Sequence, residues 1–420
     1  MIEPIKIESY NYTLPESRIA SYPLPERDAS RLLRYGRGVI SDHSFAELPR
    51  LIPTGTLMVF NNSRVLPARL FFSKDNGAVI EILCLEPIAP KEYNLSFASI
   101  QSVVWRVLIG NKKRWKGGKI SLYNPQNQEL ISSISLFAEY VDYEEDTSID
   151  KMVDASCVRF FWSGNHSFSH ILELCGQVPI PPYLNRKSED IDIERYQTIY
   201  AHNRGSVAAP TAGLHFSEST LSSLQRNHID FSEISLHVGA GTFLPLKTSL
   251  IARHEMHSEP FTVSKSFLEK LLTHMGEVVA VGTTSARCIE SLYWLGLMCF
   301  LGEEPFFLPQ WYPYSAKPVL SKEASLEQLL SYLNKNQLDN FSARTQVMIV
   351  PSFIFHFVNG LITNFHQPKS TLLLLIAAFI GEDWRRCYAH ALAHGYRFLS
   401  YGDSSLLLPK KSLPSQIIFT

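Results

Sequence analysis

From about residue 176 onward, this 420-residue chain repeats one pattern: an apolar strand-like run, a short polar loop, then a helix. That repetition constrains the fold most, because strands joined by crossover helices build a largely parallel sheet with helices on its faces. Residues 233–238 run into Gly239-Ala240-Gly241-Thr242-Phe243. Residues 277–281 run into Gly282-Thr283-Thr284-Ser285, then an apolar-periodic helix through Ile289, Leu292 and Tyr293. Residues 360–365 run into His366-Gln367-Pro368-Lys369-Ser370 and a core helix that ends at Gly381, a residue suited to the left-handed helix stop. A further helix over 383–394, closed by Gly395, leads to an expected strand over 396–400. In α/β folds ligands gather at the carboxyl ends of the strands, so these polar loops mark a candidate site.

The texture differs between residues 65 and 154. Alternating runs at 78–87 and 103–110 read as short strands, with little amphipathic helix between them. The expected division is a first part of an α/β domain over 1–64, an inserted β-barrel over 65–154, and the rest of the α/β domain over 155–420. Within it, residues 300–345 read as an excursion, dense in proline (Pro305, Pro309, Pro313, Pro318) before a helix near 326–333. A strand is expected at 56–60. At this length more than one core is the default.

Lys and Arg number 39 against 40 Asp and Glu, so a polyanion would have to meet a local basic patch and not a global field. Six scattered cysteines without a CxxC pair argue against a zinc or disulfide framework and fit a reducing compartment. The N-terminus lacks a signal-peptide pattern, and the longest apolar run, 372–380, is too short to cross a bilayer. A cytoplasmic monomer with no membrane role is the expectation.

Individual motifs carry different weights. His254-Glu255-Met256-His257 spaces its histidines three apart where HExxH needs four, so no metal is expected. Gly239, Gly241 and Thr242 form a turn of the kind that approaches a nucleotide, though two glycines equally suit a plain tight turn. Thr283 and Thr284 place hydroxyls at a helix start, a polar-ligand site or an ordinary N-cap supplied by Thr284 or Ser285. Residues 110–119 gather Lys112, Lys113, Arg114, Lys116 and Lys119 around Trp115. That cluster suits phosphates with an aromatic for base stacking, or else is a solvated hairpin tip. In SVAAPTAGLHF (206–216), small residues permit close backbone approach, and Thr211 and His215 are the functional groups on offer.

Ten stretches in order resemble the S-adenosylmethionine:tRNA ribosyltransferase-isomerase family of the queuosine pathway. They are YNYTLPESRIASYPLPERDASRLL (10–33), VFNNSRVLPARLF (59–71), GQVPIPPYLNR (176–186), RYQTIYA (195–201) and GSVAAPTAGLHF (205–216). LHVGAGTFLPL (236–246), HEMHSEPF (254–261), VGTTSARCIES (281–291), LITNFHQPKSTLLLLIAAFIG (361–381) and YRFLSYGDSSLLL (396–408) complete them. The resemblance fades over 87–175 and 300–345. It implies an α/β fold, a modified α/β barrel-like main domain with an inserted small β-barrel. It also implies transfer and isomerisation of the ribosyl part of S-adenosylmethionine onto 7-aminomethyl-7-deazaguanine at the tRNA wobble position. Epoxyqueuosine forms, and adenine and methionine leave. S-adenosylmethionine is then a co-substrate, tRNA (anticodon region) the partner, and no bound cofactor or metal is expected.

The acidic C5′ hydrogens beside a sulfonium need a positioned base, and His215, His237 and His366 lie in matching motifs. Departing adenine needs protonation or strong hydrogen bonding, from another histidine or from a carboxylic acid, with Glu255, Glu259 and Glu290 unranked. Thr211, Gly213, Gly239, Gly241, Thr242, Thr283, Thr284 and Asn364 are expected at the small substrate. Arg64, Arg69, Lys369 and the 112–119 cluster are expected at RNA phosphate. The chain departs from the family pattern at Asn62-Ser63 (usually Asp-Thr), at Ser352-Phe353 (usually Gly-Tyr) and at Arg344 (usually Trp). An S-adenosylmethionine-dependent RNA methyltransferase, suggested by the glycine turn, and a non-catalytic RNA-binding protein are the alternatives.

Overall fold

Four parallel strands, Asp230–Leu236, Leu57–Asn61, Val278–Val281 and Gly360–Asn364, lie side by side at the centre of the computed structural model, which describes residues 5–123, 134–141, 155–236 and 250–409. Ser404–Leu408 pairs antiparallel with the last of these, Arg31–Gly36 runs parallel to Ser404–Leu408, and Val39–Ser44 closes that end. At the other end Glu259–Ser264, Asn340–Thr345 and Phe307–Leu308 complete a ten-stranded mixed sheet. Residues 300–345 therefore extend the sheet, and their helix, Lys322–Lys335, packs on the helix Thr283–Leu301.

Alternation along the central strands sorts side chains onto two faces. Leu57, Val59, Val278, Ala280 and Leu361 enter one core with the helices Thr283–Leu301 and Thr371–Ile380. Met58, Phe60, Val279, Val281 and Ile362 enter the opposite core with Phe45, Phe216 and Leu224. Buried on both faces, the strands Leu57–Asn61, Val278–Val281 and Gly360–Asn364 read as nearly continuous apolar runs, as a covered parallel sheet requires. Serine side chains start the helices: Ser217, Ser264, Ser321 and Ser370 each accept an N–H from the first turn.

The expected barrel is present. Six antiparallel strands close on themselves in the order Ser156–Phe161, Ser102–Gly110, Val79–Ala89, Arg69–Ser73, Ile120–Leu122, Phe137–Tyr140. Its last strand lies beyond the expected boundary at 154. The chain entering at Pro67 and leaving at Gly176 runs in contact, with paired bonds between Arg69 and Gln177 of 3.2 and 2.8 Å. A Cβ at Gly176 would sit 1.7 Å from the Pro67 carbonyl oxygen, so only glycine fits that crossing.

One expected strand is not there. Residues 396–400 form an irregular loop in which Leu399 has φ 70°. The Asn364 side chain takes the carbonyls of Leu399 and Ser400, at 2.9 and 3.1 Å, which removes them from any ladder. The strand follows instead at Ser404–Leu408.

Candidate active site

The sheet directions bring one set of loops to one edge. There Asn61 to Ser63, Gly282 to Thr284 and Asn364 to His366 follow the parallel strands. Ser30 and Asp403 precede strands of the opposite sense, and Glu259 begins another. His237, Gly239, Gly241 and Thr242 lie outside the described residues. The strand before them is held in place, because Asn61 Oδ1 accepts from the Leu236 N–H at 3.2 Å and Ser63 Oγ donates to the Leu236 carbonyl at 2.7 Å.

His215 is buried at this edge, 4% exposed, between two partners. Nδ1 lies 2.8 Å from Ser30 Oγ and Nε2 lies 3.3 Å from Asn364 Oδ1. Because the Asn364 amide nitrogen donates to two carbonyls, its oxygen is the acceptor, so Nε2 of His215 carries the proton. Nδ1 is then a lone pair that receives the Ser30 hydroxyl. Burial, with Arg397 and Arg27 nearby, pushes the imidazole down to about 4, so it is neutral at pH 7. His215 and Ser30 line a small, partly open cleft with Arg27, Arg195, Arg397 and Tyr401.

Gly282, at φ 95°, occupies the N-cap of the Thr283–Leu301 helix, and no side chain caps it. Neither Thr284 nor Ser285 is the cap, because Ser285 Oγ donates back to the Val281 carbonyl at 2.7 Å. A Cβ on Gly282 would lie 3.7 Å from Ala212, which places the Thr211–Gly213 turn against this helix start. Gly213 itself answers to packing: a Cβ there would meet the Tyr200 hydroxyl at 1.9 Å.

His366 bonds Thr363 Oγ1 through Nε2 at 3.1 Å, and burial pushes it down to about 3. Its carbonyl accepts from the Tyr12 hydroxyl and its N–H donates to Tyr388 Oη, so this residue is tied into the packing of the N-terminal segment. Among the carboxylates, Glu255 is exposed, while Glu259 is buried against Arg287 at 2.7 Å and His257 at 3.1 Å, which hold its carboxyl below the usual range. Glu290 accepts the N–H groups of His356, Phe357 and Val358 at 2.7, 3.0 and 2.8 Å. It anchors the loop before Gly360–Asn364, and burial pushes it up to about 7 against those donors.

The expected RNA contacts divide. Arg64 is exposed at the strand edge. Arg69 is paired with Glu81 at 3.2 Å and Lys369 with Glu8 at 2.7 Å. Lys113, Arg114, Lys116 and Lys119 are exposed on a barrel tip, with Lys112 half-buried in the same turn. Trp115 is not available to a base. It is 1% exposed, donates to the Gly118 carbonyl at 3.1 Å and packs its ring 4.2 Å from that of Tyr140 in the barrel core. Lys119 lies 3.5 Å over the Phe137 ring. Among the described residues the side chains grouped closely enough to hold a metal are Asp42, His390 and His394, away from HEMH. The Asp42 carboxylate there already accepts from His390 and the Tyr396 hydroxyl.

Sequence reading missed Ser30, Arg27, Arg195 and Arg397, although each lies in one of the ten stretches that carry the resemblance. The departures have local accounts. The Asn62 amide donates to Glu233 at 2.9 Å, where an aspartate would face a like charge. Arg344 reaches Glu86 of the barrel at 3.3 Å, and Glu86 also pairs with Arg106 at 3.1 Å.

Residues 7–407 match the family model described as queuosine biosynthesis protein. The S-adenosylmethionine:tRNA ribosyltransferase-isomerase of Azoarcus sp. (strain BH72) is 35% identical over 407 residues, covering 96% of this chain and 97% of its own. That of Pelodictyon phaeoclathratiforme (strain DSM 5477 / BU-1) is 37% identical over 404 residues, covering 95% and 98%. A solved structure, S-adenosylmethionine tRNA ribosyltransferase from Thermotoga maritima, is 26% identical, covers 95% of this chain and 99% of that one, and has a TM-score of 0.44.

Proposed function

The chain belongs to the queuosine biosynthesis protein family, and from that membership we propose that it transfers and isomerises the ribosyl part of S-adenosylmethionine onto 7-aminomethyl-7-deazaguanine in tRNA, giving epoxyqueuosine with release of adenine and methionine. The class of protein is an enzyme, and the family names supply the ribosyltransferase-isomerase activity on tRNA. No described helix is long and apolar enough to cross a membrane, and the reaction is assigned to the cytoplasm as part of the same reading.

One observation carries the residue assignment. Among the described histidines, His215 alone lines the cleft at the carboxyl edge, with a neutral ring and a lone pair aimed at a hydroxyl on the same wall. A base at the sulfonium-activated C5′ needs a free lone pair in a site from which water is largely excluded. Nδ1 meets that need once substrate displaces or relays through Ser30 Oγ. Asn364 fixes the tautomer and takes part of the positive charge that develops on the ring, the role of an orienting group behind a base. His366, tied to Thr363 and the N-terminal segment, is a positioning residue on this reading.

The test is mass spectrometry of nucleosides from tRNA carrying the aminomethyl-deazaguanine base, after incubation with this protein and S-adenosylmethionine. The epoxyqueuosine mass with free adenine is expected, and His215→Asn should lower kcat by about 10²–10⁴. A gain of one methylene would mean methyl transfer instead, and bound but unchanged tRNA would remove the reaction altogether.

A further inference from the structure

The cleft beside His215 gathers three arginines whose guanidinium groups donate to carbonyls and bond no carboxylate closer than 3.8 Å among the described residues. Among the described residues Arg27 donates to the carbonyls of Leu214 and Glu194, at 3.1 and 2.9 Å, and the Glu194 carboxylate acts on it through space without a hydrogen bond. Among the described residues Arg195 donates to the carbonyls of Pro25 and Leu24, both at 2.8 Å. Arg397 reaches the Tyr22 carbonyl at 3.4 Å and stands 3.8 Å from Asp403. That carboxylate already accepts the backbone N–H groups of Arg31 and Arg397, at 3.0 and 2.8 Å. Glu26, the acid in the lining of the cleft, is exposed.

Carbonyl dipoles orient a guanidinium without cancelling its charge, and cations held together in a partly dry cleft repel one another. The Arg27 guanidinium is pushed down by burial and by Arg195, against the opposing Glu194 carboxylate, and the His215 ring by burial with Arg397 and Arg27 adding to it, so these groups act on one small volume. Such an arrangement persists at low cost only where an anion completes it. Guanidinium forks suit planar carboxylates and phosphate oxygens above other anions.

We propose that Arg27, Arg195 and Arg397 form an oxyanion subsite that receives a carboxylate or phosphate group of a substrate and thereby places the reacting carbon beside His215. The proposal rests on the functional reading above, which offers two sources for that group: the amino-acid carboxylate of S-adenosylmethionine or a phosphate of the tRNA backbone. The subsite is distinct from the basic tip of the barrel, whose lysines are solvent-exposed.

Arg397→Gln is the variant of choice, because Arg397 has the loosest contacts of the three, and Arg397→Lys keeps the charge without the fork. Equilibrium binding of S-adenosylmethionine and of tRNA would be measured separately, with no chemistry needed. Arg397→Gln should weaken one ligand about tenfold or more, with partial recovery in Arg397→Lys. If the carboxylate is the guest, S-adenosylmethionine is the weakened ligand, and decarboxylated S-adenosylmethionine binds wild type and variant alike. If a phosphate is the guest, tRNA is the weakened ligand and the slope of log affinity against log salt falls by about one. Unchanged affinity for both ligands in Arg397→Gln and in Arg195→Gln overturns the subsite. Should the wild type bind neither ligand, the functional reading fails, and titration with inorganic phosphate still decides the subsite. Phosphate binding that Arg397→Gln loses supports it, and equal response in wild type and variant rejects it.

Discussion

At the scale of single residues, the departures from the family pattern are where the physics is sharpest. The Phe353 N–H donates to the Val350 carbonyl at 2.9 Å, so residues 350–353 form a β-turn with Pro351 second and Ser352 third. Ser352 has φ 87°, the value a type II turn demands at its third position and one that glycine adopts without strain. The family's glycine is thus missing where the backbone calls for it. Ser352→Gly should stabilise the protein by about 1 kcal/mol, read as a shift in the urea midpoint at unchanged slope. A neutral or destabilising result would show that the serine hydroxyl compensates for its conformation. The buried pair Glu259–Arg287 gives the opposite sign. Glu259→Gln would leave the 4%-exposed Arg287 guanidinium without its counter-charge. A loss of about 3–5 kcal/mol is expected in denaturant titration, because a buried charge stripped of its partner keeps its full desolvation cost. A loss below about 1 kcal/mol would mean that water or another group reaches the site.

At the scale of elements, the helix Thr283–Leu301 is buried along most of its length and accepts a neighbour at very close range. Gly296 is the reason: a Cβ there would lie 2.2 Å from the Ser325 carbonyl oxygen on the helix Lys322–Lys335. Ser325 Oγ in turn donates to the Tyr293 carbonyl at 2.7 Å. Gly296→Ala should therefore cost about 1–3 kcal/mol by overpacking, despite alanine's better helix propensity. Thermal unfolding would show it, and a rise in Tm would mean that the two helices separate freely. Much of this level was legible in the sequence. The covered strands announced themselves as apolar runs, the helix stops at Gly381 and Gly395 by their glycines, and the barrel by alternation. What was misread shares one cause, namely that tertiary partners outbid local pattern. Residues 396–400 look like a strand until Asn364 takes their carbonyls. Trp115 looks like a stacking platform amid lysines until the barrel closes over it. The cleft arginines could not be chosen from sequence because nothing local tells a guanidinium facing a carbonyl from one facing water.

Over the whole molecule, burial of histidines sets how stability responds to pH. His215, His254 and His356 are pushed down to about 4 and His366 to about 3, each chiefly by desolvation of the charged ring. The ordinary value is near 6.5, so below that pH the unfolded chain takes up protons that the native fold refuses. Stability therefore rises with pH from about 4 to about 6.5 and is fully present above it. His215 alone carries on the order of 3 kcal/mol across that window. Glu290 tilts the other way. Pushed up to about 7, it holds its proton in the fold while the unfolded side chain has lost it, a contribution that fades as pH rises from about 4.5 to 7. Among the described residues one raised carboxyl faces four lowered histidines, so the net slope between pH 4.5 and 6.5 is positive, and urea midpoints should climb through that range and level off near pH 7. His356→Phe isolates one share of it. The ring stacks on Tyr293 at 3.5 Å and 4°, its Nε2 is buried without a partner, and its contact with Glu290 runs through the backbone N–H. Phenylalanine keeps the stack and removes the proton site, so the slope should become shallower while stability at pH 5 increases. An unchanged slope would show that the His356 ring is hydrated in solution, and a wild-type midpoint that falls from pH 4.5 to 6.5 would make Glu290 the dominant group.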